Sequence, residues 1–152
     1  MAEHVWTVLC ERAVTDRESN IISLLQVTEQ ISLEGDPAIF EKIVKERDAT
    51  GGIIPVQLQL VTWWIRSDQG KGESLETRLT IVNPSGRVLL EKEVTVDLVE
   101  NSSRRVSLQF EHFPLTEVGI HWFEIRKTKP QTSKKQQWLI AARIPLDIKF
   151  VT

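Results

Sequence analysis

The sequence predicts an all-β fold, an antiparallel two-sheet β-sandwich of about eight strands with a single short helix near residues 37–47. Three observations carry this prediction. Apolar residues recur with a period of two along most of the chain, the period at which a strand alternates between a dry and a wet face. Short polar segments bearing proline or glycine separate those stretches, and a helical period is confined to one place.

In chain order, residues 4–10 and 20–33 read as strands, divided by the polar turn Thr15–Ser19. Asp36 then precedes Pro37, with Ile39, Phe40, Ile43 and Val44 at helical spacing up to Arg47. An aspartate side chain can accept the free amide hydrogens of a first helical turn, and a proline at the first helical position forfeits no bond there. This is the one helix, and Gly51 and Gly52 end it. Residues 53–65 return to period two, with Val56, Leu58, Leu60 and Trp64 in the inward phase and Gln57, Gln59, Val61, Trp63 and Ile65 in the outward one. Leu75, Thr77, Leu79 and Ile81 alternate with Glu76, Arg78 and Thr80 in the next strand. Asn83-Pro84-Ser85-Gly86 puts proline second and glycine fourth in a β-turn, so a hairpin leads into Val88, Leu90, Val94, Val96 and Leu98. Lys92 is the one misfit of that strand. Val106, Leu108 and Phe110 oppose Arg105, Ser107, Gln109 and Glu111; residues 119–127 form another strand. From Trp138 to Phe150 the phase holds for thirteen residues, and Pro145 is expected to mark a bend or bulge at a sheet edge.

A core tryptophan such as Trp64 is an immunoglobulin-like trait. The segment Pro114–Ile125, with Gly119 ahead of His121, Phe123 and Ile125, resembles the penultimate strand of such domains, where a tyrosine usually occupies the position of His121. No tyrosine occurs in the chain, and the single cysteine excludes the antibody-type disulfide. Together with Asn20-Ile21-Ile22 and Ala142-Arg143-Ile144-Pro145-Leu146, these segments resemble an uncharacterised family of bacterial β-sandwich proteins of unknown function. The resemblance spans most of the chain. It implies an immunoglobulin-like sandwich and a bacterial cytoplasmic origin, and it adds no activity.

With 152 residues the chain suits one domain spanning 1–152, large enough to bury roughly two thirds of its unfolded surface without a staple. Nineteen basic against 21 acidic residues leave a formal charge of -2, which offers no global attraction to nucleic acid or an anionic membrane. The lone Cys10 rules out multi-cysteine zinc sites and suits a reducing, cytoplasmic compartment. Residues 1–20 carry Glu3, Glu11, Arg12, Asp16, Arg17 and Glu18, so no apolar signal segment is present there, and no stretch approaches a membrane span.

Motifs for chemistry are missing: the sequence has no glycine-rich phosphate loop, no GxSxG elbow and no HExxH. His112 and His121 flank one connection and could hold a metal with Glu111 or Glu117, but histidine at a strand end more often serves a structural hydrogen bond. Cys10, among Trp6, Val8 and Leu9, reads as a small buried hydrophobe. Ser102 and Ser103 adjoin Arg104 and Arg105 without a general base. The expectation is therefore a protein that is not an enzyme, with no cofactor, no metal and no catalytic residue.

Two surface features remain. Lys127, Lys129, Lys134 and Lys135 make a polar basic loop with no acidic residue, either a solvated loop that discourages edge pairing or an arm for phosphates or an acidic partner. No aromatic residue interleaves with these lysines, which disfavours nucleic acid. The second feature is apolar. If strands 53–65 and 119–127 are sheet neighbours, Val61, Trp63, Ile65, Ile120 and Trp122 converge on one outer face, with Leu139 and Ala141 beside them. That face would join the chain to a second copy or to another subunit, making it a non-catalytic protein-interaction module. Two rivals stand. The helix could cover the face through Ile39, Phe40, Ile43 and Val44, or the chain could be a small ligand-binding protein or enzyme with a dispersed site.

Overall fold

The structure of the chain, a computed structural model, describes residues 1–46, 52–128 and 137–151. Among these residues it is all-β apart from one helix. The strands are β1 (Glu3–Thr15), β2 (Ile22–Val27), β3 (Gln30–Glu34), β4 (Gly52–Ile65), β5 (Glu73–Val82), β6 (Val88–Leu98), β7 (Ser103–Leu115), β8 (Gly119–Thr128) and β9 (Trp138–Val151). The helix, α1, covers Pro37–Glu46. One sheet has the order β2-β1-β4-β7 and the other β3-β9-β8-β5-β6. All pairings are antiparallel except β3 with β9, which is parallel.

Nine strands stand where about eight were expected, because residues 20–33 make two strands in two different sheets. The chain changes sheet at Thr28 and Glu29. The Thr28 amide donates to the Leu9 carbonyl at 2.8 Å on one side, and the Glu29 carbonyl accepts the Asp147 amide at 3.0 Å on the other. Gln26, with φ 54, makes the corner. Residues 20–33 carry apolar side chains in both phases, and the half-buried set changes phase across the corner, from Ile22 and Leu24 to Ile31 and Leu33, so hydrophobic periodicity marks no boundary there.

The core draws on strands of both sheets and is built from inward phases read above: Leu58, Leu60 and Trp64 from β4, Leu79 and Ile81 from β5, Phe123 from β8, Leu146 and Ile148 from β9. Local punctuation also agrees. The Asp36 Oδ1 accepts the Ala38 amide at 2.9 Å, which caps α1. At the β5–β6 hairpin the Gly86 amide donates to Asn83 O at 2.9 Å, and Gly86 takes the φ of 89 that only glycine adopts without strain. Lys92 faces Leu79 across the ladder on β6, the outermost strand of its sheet. A charge in the inward phase of an edge strand resists the addition of a further strand, which accounts for the misfit. Pro145 sits where β9 has no β3 partner, since that ladder begins at Asp147. The register shift against β8 falls between Ile125 and Arg126, so the bulge expected at Pro145 lies several residues earlier.

Candidate functional site

The apolar face expected from Val61, Trp63, Ile65, Ile120 and Trp122 does not form. Strand β4 pairs with β1 and β7, whereas β8 pairs with β5 and β9 in the other sheet. The expectation counted 53–65 as the third strand of the domain; β1 to β3 make it the fourth, and β5 occupies the place beside β8. Val61 is 1% exposed, Trp63 and Ile65 are half-buried, and Ile120 stands 48% exposed on the other sheet. Trp122 is not bare: the Arg143 guanidinium lies 3.7 Å above its ring. Arg143 also meets Glu124 at 3.3 Å, which Arg126 approaches at 3.4 Å. Arg78 completes this ionic face, meeting Glu93 at 2.6 Å and stacking on Trp138 at 4.2 Å. Leu139 and Ala141 also belong to this sheet, on β9.

Nor do the described side chains of α1 cover the Trp63 face. Phe40 packs on Phe150 of β9, with ring centroids 5.6 Å apart. Ile39 is exposed, and the side chains of Ile43 and Val44 lie outside those described. Of the basic loop, Lys127 is a strand residue of β8 whose Nζ donates to the Ala2 carbonyl at 3.4 Å. Lys129, Lys134 and Lys135 lie outside the described residues.

What reaches the outer face of β4 is the β1–β2 hairpin. The Ala13 amide donates to Gln59 Oε1 at 3.0 Å, and Arg105 Nη2 donates to the Asn20 carbonyl at the hairpin tip. Asn20 holds φ 58, and Asp16 Oδ1 accepts the amides of Glu18 and Ser19, so the tip is a closed turn. Cys10 and Val61 are accordingly buried. Burial pushes the Cys10 thiol above its ordinary pKa, which makes it a poor nucleophile.

Between the hairpin tip and the sheet lies a groove of about 620 Å³. Its floor is a cross-strand row: Trp6 pairs with Trp63, which pairs with Arg105. A β-bulge at Val5 makes the row. It turns His4 inward onto Trp64, edge to face at 5.2 Å, and lets Trp6 turn outward onto Trp63, with centroids 6.0 Å apart and planes at 51°. Thr15, Asn20 and Ile22 form one wall, Asn101, Ser103 and Arg104 the other. Among the described residues no carboxylate forms an ion pair with Arg104 or Arg105. The groove thus presents two indoles beside Arg104 and Arg105, whose guanidinium groups donate to carbonyl oxygens, Arg104 to Asp97 of β6 at 3.5 Å and Arg105 to Asn20. The outward phase of Trp63 was visible in the sequence, but its meeting with Trp6 depends on a one-residue bulge that no motif announces.

The histidines do not gather. His112 is exposed on β7, while His121 is buried, with Nδ1 3.0 Å from the Gly119 carbonyl and its ring edge to face with Phe113 at 5.2 Å. Its Nε2 has no partner among the described residues. No group of three metal-ligating side chains occurs among them either. Burial lowers the His121 pKa, and the Gly119 carbonyl, Glu117 and Asp147 only partly oppose this. The folded chain therefore holds His121 neutral where an unfolded chain, with a pKa of about 6.5, begins to bind a proton. Its contribution is present in full above that value and falls as acidification proceeds toward the depressed folded pKa. His4 acts in the same direction through burial and the nearby Lys127. The expected result is a urea midpoint that falls between pH 7 and 5 while the His121 ring protons titrate below about 6.5 in NMR; titration at or above that value would contradict the assignment.

No family model matches the chain, and no curated protein matches it. Among the described residues, no helix is long and apolar enough to cross a membrane.

Proposed function

We propose that the chain is a non-catalytic binding module that recognises an acidic, apolar-flanked segment of a partner protein in the groove of Trp6, Trp63, Arg104 and Arg105. The observation that carries this reading is the pairing of two adjacent, tilted indoles with two lining arginines that no ion pair among the described residues neutralises. Tryptophan and arginine are the residue types most enriched where binding energy concentrates, and a guanidinium fork matches a carboxylate in two parallel hydrogen bonds. The groove's volume, about 620 Å³, also favours a second reading, a small organic anion in the same place.

The wider setting belongs to the same proposal. One domain of 1–152 has its sheets stacked as a sandwich, and the order β6-β5-β8-β9 parallels the C′-C-F-G sheet of variable-type immunoglobulin domains. In that assignment β4 and β7 take the places of strands B and E. A bacterial, cytoplasmic protein suits the buried, unpaired Cys10.

The test is a titration with a pentapeptide alternating glutamate and leucine, followed through the indole N–H resonances. The proposal expects Trp6 and Trp63 to shift, the lysine counterpart to leave them unmoved, and Arg104→Ala to weaken binding about tenfold or more, the loss expected from a charged hydrogen bond. A response to a small carboxylate alone supports the second reading. Equal shifts with the lysine peptide, or shifts confined to Trp122 and Trp138, overturn both.

A further inference from the structure

We infer that a second copy of this chain adds to the open edge of β7, in the antiparallel register centred on Leu108. Four strands end the two sheets: β2, β7, β3 and β6. Of these, β2 and β3 have six and five residues, and β6 is guarded by the inward Lys92. Short strands and inward charges are the usual devices against edge pairing. Strand β7 is long, and the one charge of its inward phase, Arg104 opposite Trp64, stands near its start, outside the central stretch. It runs thirteen residues, bonds only to β4 among the described residues, and its stretch from Val106 to Phe110 has no charge, proline or glycine. In that stretch the inward-phase residues Val106, Leu108 and Phe110 are only half-buried, although they touch the core. An edge strand flanked by partly covered apolar residues is an invitation to another strand.

Charge selects the occupant. In an antiparallel pair centred on Leu108, each residue faces the one equally far on the other side, so Arg105 stands opposite the partner copy's Glu111, and the reverse holds by symmetry. Both side chains belong to the outward phase, as cross-strand neighbours must. Glu111 is exposed and makes no ion pair among the described residues, and Arg105 spends one of its five N–H donors on the Asn20 carbonyl. Two identical ion pairs flank the two-fold axis, the self-complementarity that a closed dimer requires. The pairing with β4 becomes irregular beyond Phe110, between Leu58 and Pro55, which places Glu111 at the limit of the straight segment and confines the new ladder to about seven residues.

This inference is independent of the groove reading. In the dimer Arg105 turns an edge to the partner copy while Arg104 still lines the groove, and Glu111 is not among the lining residues.

Sedimentation velocity on the whole chain tests it through a charge swap. The wild-type protein is expected at about twice the 17.4 kDa chain mass. Glu111→Arg should give a folded monomer that still binds the acidic pentapeptide, and Arg105→Glu with Glu111→Arg together should restore the dimer. Far-UV circular dichroism confirms that each variant is folded. A monomeric wild type, a Glu111→Arg variant that remains dimeric, or a double variant that stays monomeric overturns the proposal; loss of peptide binding with an intact dimer condemns only the groove reading.

Discussion

Replacing Trp64 with alanine is expected to cost about 3–5 kcal/mol of folding stability, a large share of the roughly 5–15 kcal/mol by which a domain of this size is stable. Trp64 is 1% exposed and is among the largest fully buried side chains of the core. Its indole N–H donates to the Thr62 hydroxyl at 2.8 Å, and its ring meets His4 edge to face. Truncation removes the transfer energy of a full indole, leaves a void that the two flanking strands cannot close, and strands the buried Thr62 oxygen without its donor. Trp63, next in the chain but on the outer face, should lose much less on the same change. Urea denaturation checks both. A loss below about 1.5 kcal/mol at position 64 would mean that the core is not organised around this side chain.

The second large effect is expected at a glycine. A β-carbon at position 72 would stand 2.6 Å from the Val99 carbonyl oxygen and 2.9 Å from the Val99 Cα, both backbone atoms with no rotamer to change. That carbonyl also accepts from Arg66 Nη2, while Arg66 Nε bonds the Leu98 carbonyl at 2.7 Å. Gly72→Ala must therefore push apart the β4–β5 loop and the β6–β7 crossover at the point where Arg66 fastens them. A cost of about 1–3 kcal/mol follows from overpacking of this kind. Because Asn101 and Ser103 follow Val99 into the groove wall, the variant should also weaken peptide binding. Gly70→Ala is the control, since its added carbon would meet only the Asp68 carboxylate at an ordinary 3.5 Å. Equal stability for the two variants would contradict the close approach.

Much of the fold was legible because strands with one dry face write their alternation into the sequence. The inward phases of β4, β5 and β8 and of β9 from Ala142 onward, the Asp36 cap and the Asn83–Gly86 turn are local patterns and appear where those patterns predict, whereas the bulge at Ala141 turns Trp138 and Ile140 of the expected inward phase to the outer face. Sheet membership was not legible. Whether β4 lies beside β8 or β7 depends on which strands precede it, and the corner at Gln26 falls where apolar residues occupy both phases of residues 20–33, so the change of buried phase from Leu24 to Ile31 is not announced. The groove was half legible. Trp63 was placed in the outward phase, but Arg104 and Arg105 were set aside as part of a turn without a general base, Trp6 reaches them only through the bulge at Val5, and the hairpin returns over Val61 only because of non-local bonds from Ala13 and Arg105. The apolar outward phase of β4 was therefore misread as an exposed face, since its cover comes from a segment some forty residues earlier in the chain.

The position of that hairpin is the claim on which the groove depends. A spin label attached through Glu18→Cys, with the buried Cys10 left unlabelled, measures it directly by paramagnetic broadening of the five tryptophan indole signals. The account predicts strong broadening of Trp6 and Trp63, which lie beneath the tip, and little of Trp122 and Trp138, which belong to the other sheet. Broadening of Trp122 and Trp138 equal to that of Trp6 and Trp63, or no broadening of any indole, would contradict it.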